Sequence, residues 1–155
     1  MREITGALAG QGMRCCLVAA RFNETIVDQL VRGALRGLRQ NQVAEADIEL
    51  IWVPGAFEIP VAGAERIEQG GLDCLIALGA VIRGETPHFE YVASAVASGL
   101  AGLGVRYRVA TGFGVLTVDS VDQALARAGG KLGNKGWEAA VAALELNSVL
   151  RQLRA

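Results

Sequence analysis

GAVIRGETPHFEY, Gly79 to Tyr91, is the stretch that decides how this chain folds. It opens as the end of an apolar run, breaks at a charged loop containing Gly84 and Pro87, and resumes with helical spacing. A strand, a loop and a helix start, in that order, mark the carboxyl end of a strand in an open α/β sheet, where such sheets hold ligands. The break also contains the chain's one histidine, His88.

The same grammar recurs on both sides. Arg14 to Ala20, RCCLVAA, is a continuous apolar run, the pattern of a strand covered on both faces in a parallel sheet. RFNE follows at 21–24. Thr25 to Arg39 has helical spacing, with Val27, Leu30, Val31, Ala34 and Leu38 on one face; Asn23 is placed to cap it. Asp47 to Val53, DIELIWV, reads as the second strand. Pro54-Gly55 ends it, and a helix follows to about Gln69, with Pro60 in its first turn and Gly70-Gly71 as its stop. Cys74 to Ile82 is the third strand. A helix is expected from His88 to Leu103, with Thr86 as N-cap and Pro87 as first helical residue. Its small residues, including Ala93, Ala97, Gly99 and Ala101, suit either tight packing on the sheet or contact between subunits. Gly112 to Val118 reads as the fourth strand and Val121 to Ala128 as a short helix. Gly129, Gly130 and Gly133 interrupt the chain before a last helix, Asn134 to Leu153. Strand and helix alternate, as in an α/β domain with a parallel sheet. Glu3 to Leu8 reads as a short N-terminal edge strand, pairing with a neighbouring subunit if it finds no partner in its own chain.

With 52% apolar and 20% charged residues among 155, the chain is of globular composition. Its formal net charge is −1 and its fifteen Lys and Arg are scattered, which argues against a nucleic-acid partner. MREITGALAGQGMR lacks the apolar core of a signal peptide, and the apolar run Cys74 to Ile82 is far short of a membrane span. A cytoplasmic protein with no membrane partner is expected. Cys15, Cys16 and Cys74 lack C-x-x-C spacing and lie in apolar runs, so they read as buried, reduced thiols. One histidine without a ligand cluster gives no reason to expect a metal site.

A parallel sheet brings the loops RFNE, PGAFE and RGETPH to one edge. His88 can act there as general acid and base. Gly84, Glu85 and Thr86 offer backbone amides and a hydroxyl at a helix N-terminus, a place for a phosphate. Arg127, Lys131 and Lys135 recur every four residues; on a helix they would share a face, and an arginine can hold phosphate bidentately. Phe22 can stack on a planar heterocycle or serve as a hydrophobic staple beside Asn23. Glu58 can accept from ligand hydroxyls or sit on a helix dipole. G-x-G-x-x-G, Walker and G-x-S-x-G motifs are absent, which argues against a nucleotide cofactor or an acyl-enzyme. Pattern alone leads to an α/β protein with a small-anion pocket.

The residues carry a further signal. AARFNE at 19–24, VPGAFEIP at 53–60, GAVIRGETPHFEYVA at 79–93, FGVLT at 113–117 and RAGGKLGNKGWEAA at 127–140 together resemble lumazine synthase, over essentially the whole chain and in order. The fold expected with it is a single three-layer α/β domain over residues 1–155. Its four-stranded parallel sheet would have flavodoxin-like order 2-1-3-4, with helices on both faces. The resemblance implies condensation of 5-amino-6-(D-ribitylamino)uracil with 3,4-dihydroxy-2-butanone 4-phosphate to 6,7-dimethyl-8-ribityllumazine, releasing inorganic phosphate and water. This is the penultimate step of riboflavin biosynthesis, and no cofactor or metal is implied. Phe22 would stack on the pyrimidine, Ala56, Phe57 and Glu58 would hold the ribityl chain, and Val81 and Ile82 would meet the pyrimidine edge. Gly84, Glu85 and Thr86 would bind phosphate together with Arg127, and His88 would shuttle protons. Phe113, Arg127 and Lys135 would come from the adjacent subunit. A homo-oligomer is implied, a pentamer or, given GGKLGN at 129–134, a sixty-subunit shell, with riboflavin synthase as an associating partner. A non-catalytic lumazine- or flavin-binding module, a shell-forming paralogue and the archaeal type of riboflavin synthase are the alternatives. Two departures stand out: Gly130 where many members have Thr, and RVATG at 108–112, where Pro and more apolar residues are common.

Overall fold

The structure, a computed structural model, describes all 155 residues. Four strands form a parallel sheet: β1 Cys15–Ala20, β2 Ile48–Val53, β3 Cys74–Ile82 and β4 Ala110–Val118. The spatial order is β2-β1-β3-β4, the flavodoxin-like order. Five helices connect or follow them: α1 Glu24–Gln40, α2 Ile59–Glu68, α3 His88–Tyr107, α4 Val121–Arg127 and α5 Lys135–Arg154.

The continuous apolar runs have a direct physical reason. Alternate residues of β1 and β3 point to opposite faces, and both faces are covered. Cys15, Leu17, Ala19, Ile76 and Leu78 join the 24-residue cluster closed by α1, α4 and α5. Cys16, Val18, Ala20, Leu75 and Ala77 join the 14-residue cluster closed by α2 and α3. All three cysteines are buried and unpaired. Burial, with the Glu49 carboxylate beside it, pushes the Cys16 thiol up to about 12, so this sulfur is a packing group rather than a nucleophile.

Helices α1 and α5 lie close enough that a Cβ on Gly136 would strike the Leu30 carbonyl. Asn134 locks that approach. Its Oδ1 accepts from the amides of Gly136 at 2.9 Å and Trp137 at 3.1 Å, and its Nδ2 donates to the Gln29 carbonyl at 2.9 Å. One side chain thus caps α5 and ties it to α1. Asn134→Ala is expected to lower unfolding free energy by about 2 kcal/mol, a lost cap plus a lost hydrogen bond. Asn134→Asp, which keeps the cap acceptor and loses the donor, should recover part of it. Denaturant titration of both variants checks this.

Several elements differ from the sequence reading. Residues 1–10 contain no strand. Within this chain the segment lies along α5 instead, with the Ala7 amide donating to Ser148 Oγ at 3.0 Å and Gln152 Nε2 to the Thr5 carbonyl at 2.8 Å. Helix α3 begins at His88 with Pro87 in the cap position, and no side chain caps it; Thr86 is not a cap. It runs past Leu103 to Tyr107, where Arg108 turns left-handed at φ 53°, and β4 begins two residues later. The glycine break is a small antiparallel hairpin, β5 Ala128–Gly130 and β6 Gly133–Asn134. Gly129 and Gly133 have φ of 105° and 82° there, a conformation glycine adopts at little cost. Arg127, Lys131 and Lys135 therefore do not share a helix face: they occupy a helix end, a turn and a helix start.

The small residues of α3 divide between two uses. Gly99 lets Pro60 of α2 approach so closely that a Cβ would meet its ring at 2.8 Å. Ala97, Ala101 and Gly104 instead line an open apolar cavity of about 510 Å³ with Phe113 and Leu146. No helix is long and apolar enough to cross a membrane.

Candidate active site

Order β2-β1-β3-β4 sends the chain outward in opposite directions from the β1/β3 pair. The loops leaving these two strands therefore part, and a crevice opens at their carboxyl ends. A cavity of about 750 Å³ lies there. Phe22 comes from the loop after β1, residues 54–58 from the loop after β2, and Val81, Ile82, Gly84, Thr86 and His88 from β3 and its loop.

The three loops are tied to one another. The amides of Arg21 and Phe22 donate to the carbonyls of Val53 at 2.8 Å and Pro54 at 3.0 Å. Asn23 occupies the cap position of α1, but in the left-handed conformation, φ 60°, and its side chain caps nothing. Its Nδ2 donates to the Ala80 carbonyl at 2.9 Å, joining the first loop to the third strand. With the loop held on both sides, the Phe22 ring stands 72% exposed over the cavity. So large a ring left in water is where a planar partner gains most from stacking.

Ala56–Glu58 forms a single 3-10 turn leading into α2. A Cβ on Gly79 would meet Ala56 and Ile59 at 3.6 Å, so this turn rests directly on β3. Phe57 is 62% exposed, and the Glu58 carboxylate points back toward Gly55. Aromatic and aliphatic walls thus carry an acceptor-only carboxylate at one end.

The β3–α3 loop supplies donors. The amides of Gly84, Glu85, Thr86, His88 and Phe89 have no hydrogen-bond acceptor within the chain. Unsatisfied amides at the start of a 20-residue helix are the groups that bind an anion. His88, the first residue of α3, is exposed and lines the same cavity.

Residues 12–151 match the family described as 6,7-dimethyl-8-ribityllumazine synthase. The chain belongs to that family. Membership ties it to riboflavin biosynthesis and to making the dimethylribityllumazine. Of the residues expected to serve a lumazine synthase, Phe22, Ala56, Phe57, Glu58, Val81, Ile82, Gly84, Thr86 and His88 line one cavity. Glu85 belongs to its loop without lining it. Phe113, Arg127 and Lys135 are elsewhere in this chain. Phe113 lines the second cavity, between α3, β4 and α5. Arg127 ends α4, with Nη1 donating to the Gln123 carbonyl at 3.0 Å and no carboxylate partner. Lys135 pairs with Glu138 at 2.7 Å.

Sequence reading passed over Phe89, Tyr91 and Val92, which also line this cavity. The signal was present: Tyr91 and Val92 stand three and four residues after His88, on its face of the helix. Arg83 was also passed over. Its Nε donates to Asp119 Oδ1 at 2.9 Å, and its guanidinium lies 4.6 Å from the Phe89 ring centroid.

Proposed function

We propose that this chain condenses 5-amino-6-(D-ribitylamino)uracil with 3,4-dihydroxy-2-butanone 4-phosphate, releasing phosphate and water, at a site completed by a neighbouring subunit. The observation that carries the reading is one cavity holding an exposed Phe22 ring, the Glu58 carboxylate and His88, with the unpartnered amides of the β3–α3 loop and the first residues of α3 at one end.

In this reading the pyrimidine stacks on Phe22, with Val81 and Ile82 along its edge. The ribityl hydroxyls donate to Glu58 and lie over Ala56 and Phe57. The phosphate takes the amides of Gly84, Glu85 and Thr86, together with Arg127 from the adjacent subunit. The amine of the uracil attacks the ketone, and the carbinolamine loses water to give an imine. Phosphate then departs as a neighbouring carbon loses its proton, the resulting enol becomes a ketone, and the ribitylamino nitrogen closes the second ring on it with loss of a second water. Each step moves protons at one place, which is the task of His88. Charge growing on the departing phosphate meets fixed amide dipoles and a guanidinium. Holding two substrates in register supplies the rest, and no protein nucleophile is needed.

Two features support a site shared between copies. Phe113, Arg127 and Lys135 lie off the cavity of their own chain. The groove lined by Ala97, Ala101, Val105 and Phe113 leaves apolar surface in water, which a second copy would cover. The reading extends to a homo-oligomer, with a pentamer or sixty-subunit shell as its forms. It further treats the product as passing to riboflavin synthase.

The test is optical. Purified protein is mixed with the two substrates, and lumazine absorbance is followed against a protein-free control. The reading predicts a rate well above the control; a rate equal to it ends the reading.

A further inference from the structure

Between Arg83 and Pro87 the loop holds itself by nothing of its own. No amide, carbonyl or side chain of Gly84, Glu85 or Thr86 is hydrogen-bonded to the rest of the chain. The loop nevertheless presents the amides that line the anion end of the cavity. Its position must therefore be fixed at its two ends.

Arg83 holds both ends. Its backbone amide donates to the Val118 carbonyl at 2.8 Å, extending the β3–β4 ladder by one rung. Its Nε donates to Asp119 Oδ1 at 2.9 Å, at the end of β4. Its Nη1 reaches Glu90 Oε1 at 3.4 Å, in the first turn of α3 beyond the loop. Its guanidinium covers the ring of Phe89 at 4.6 Å from the centroid, and Phe89 lines the cavity. One planar fork thus grips the residue that follows β4, the first turn of the helix after the loop and a ring of the site. A lysine has no such fork. Pairs this exposed contribute little to folding, so stability alone does not explain three simultaneous engagements.

We infer that Arg83 is a positioning residue, whose clamp on Asp119, Glu90 and Phe89 sets the Gly84–His88 loop in register to receive phosphate. The inference rests on reading that loop as the phosphate cradle. It requires an effect confined to the anion end of the cavity, because Phe22, Phe57 and Glu58 stand on other loops.

The experiment measures two dissociation constants, for inorganic phosphate and for 6,7-dimethyl-8-ribityllumazine, on the unaltered assembly and on Arg83→Gln, Arg83→Lys and Asp119→Asn. Arg83→Gln is expected to weaken phosphate about tenfold, the scale of a displaced binding group, and to leave lumazine within about twofold. Asp119→Asn should show the same split more weakly. Arg83→Lys keeps the charge without the fork and should restore phosphate binding only in part. Equal losses for both ligands, no loss for either, or full recovery in Arg83→Lys would overturn the inference. If Arg83→Gln does not fold, Arg83→Lys decides, because phosphate binding as tight as in the unaltered protein contradicts positioning. If the unaltered protein binds no phosphate, the cradle reading itself fails, a result distinct from all of these.

Discussion

Replacing His88 with alanine slows lumazine formation on the order of 100-fold, the scale of a lost general acid–base group, while lumazine binding stays nearly unchanged. The asymmetry follows from where the imidazole sits. His88 is the first residue of α3, at the lip of the cavity, and makes no hydrogen bond that holds another element in place. The rings and carboxylate that would hold product, Phe22, Phe57 and Glu58, are carried by other loops. Alanine favours the helix at this position, so the fold should persist. Single-turnover rates beside product titrations separate the two effects. Loss of product binding in proportion to rate would make His88 a binding group and contradict its proton-shuttle role.

Arg127→Ala should raise the KM for the butanone phosphate by about 10- to 100-fold, the range for one charge-assisted hydrogen-bonding partner, with a smaller change in the KM for the uracil. Arg127 is suited to this because most of its donors are free. Only Nη1 is engaged, with a carbonyl of its own helix. Arg127→Lys supplies a point charge without the bidentate fork and should restore only part of the loss. An unchanged KM for the phosphate substrate would remove Arg127 from the site.

The sequence was most legible where one physical constraint dominates. The double-sided burial of β1 and β3 leaves two uninterrupted apolar runs, and β3 lies on the expected Cys74–Ile82. Phe22, Glu58 and His88 stood out because reactive residues after buried strands must collect at one sheet edge. What escaped notice depends on contacts between distant residues. Asn134 looks like no more than the start of the last helix until its side chain is seen reaching Gln29, 105 positions away. Asn23 looks like an ordinary cap, but spends its amide on Ala80 instead. Arg83 finds Asp119 36 positions later, and no local spacing announces that. The hairpin at 128–134 is built from glycine and two-residue geometry, so it leaves no side-chain period to read. Phe113 entered through family resemblance alone; Arg127 and Lys135 stood out by a four-residue recurrence, but nothing in that spacing aims them at this cavity.

The central claim is a condensing site that takes His88 from one subunit and Arg127 from another. Co-assembly of His88→Ala chains with Arg127→Ala chains tests it most directly. At equal proportions, random mixing leaves about one quarter of such shared sites intact. The account predicts that the mixed assembly regains activity toward that fraction of the unaltered protein's rate, far above either variant alone. A mixed assembly no faster than the average of the two separate variants would contradict it.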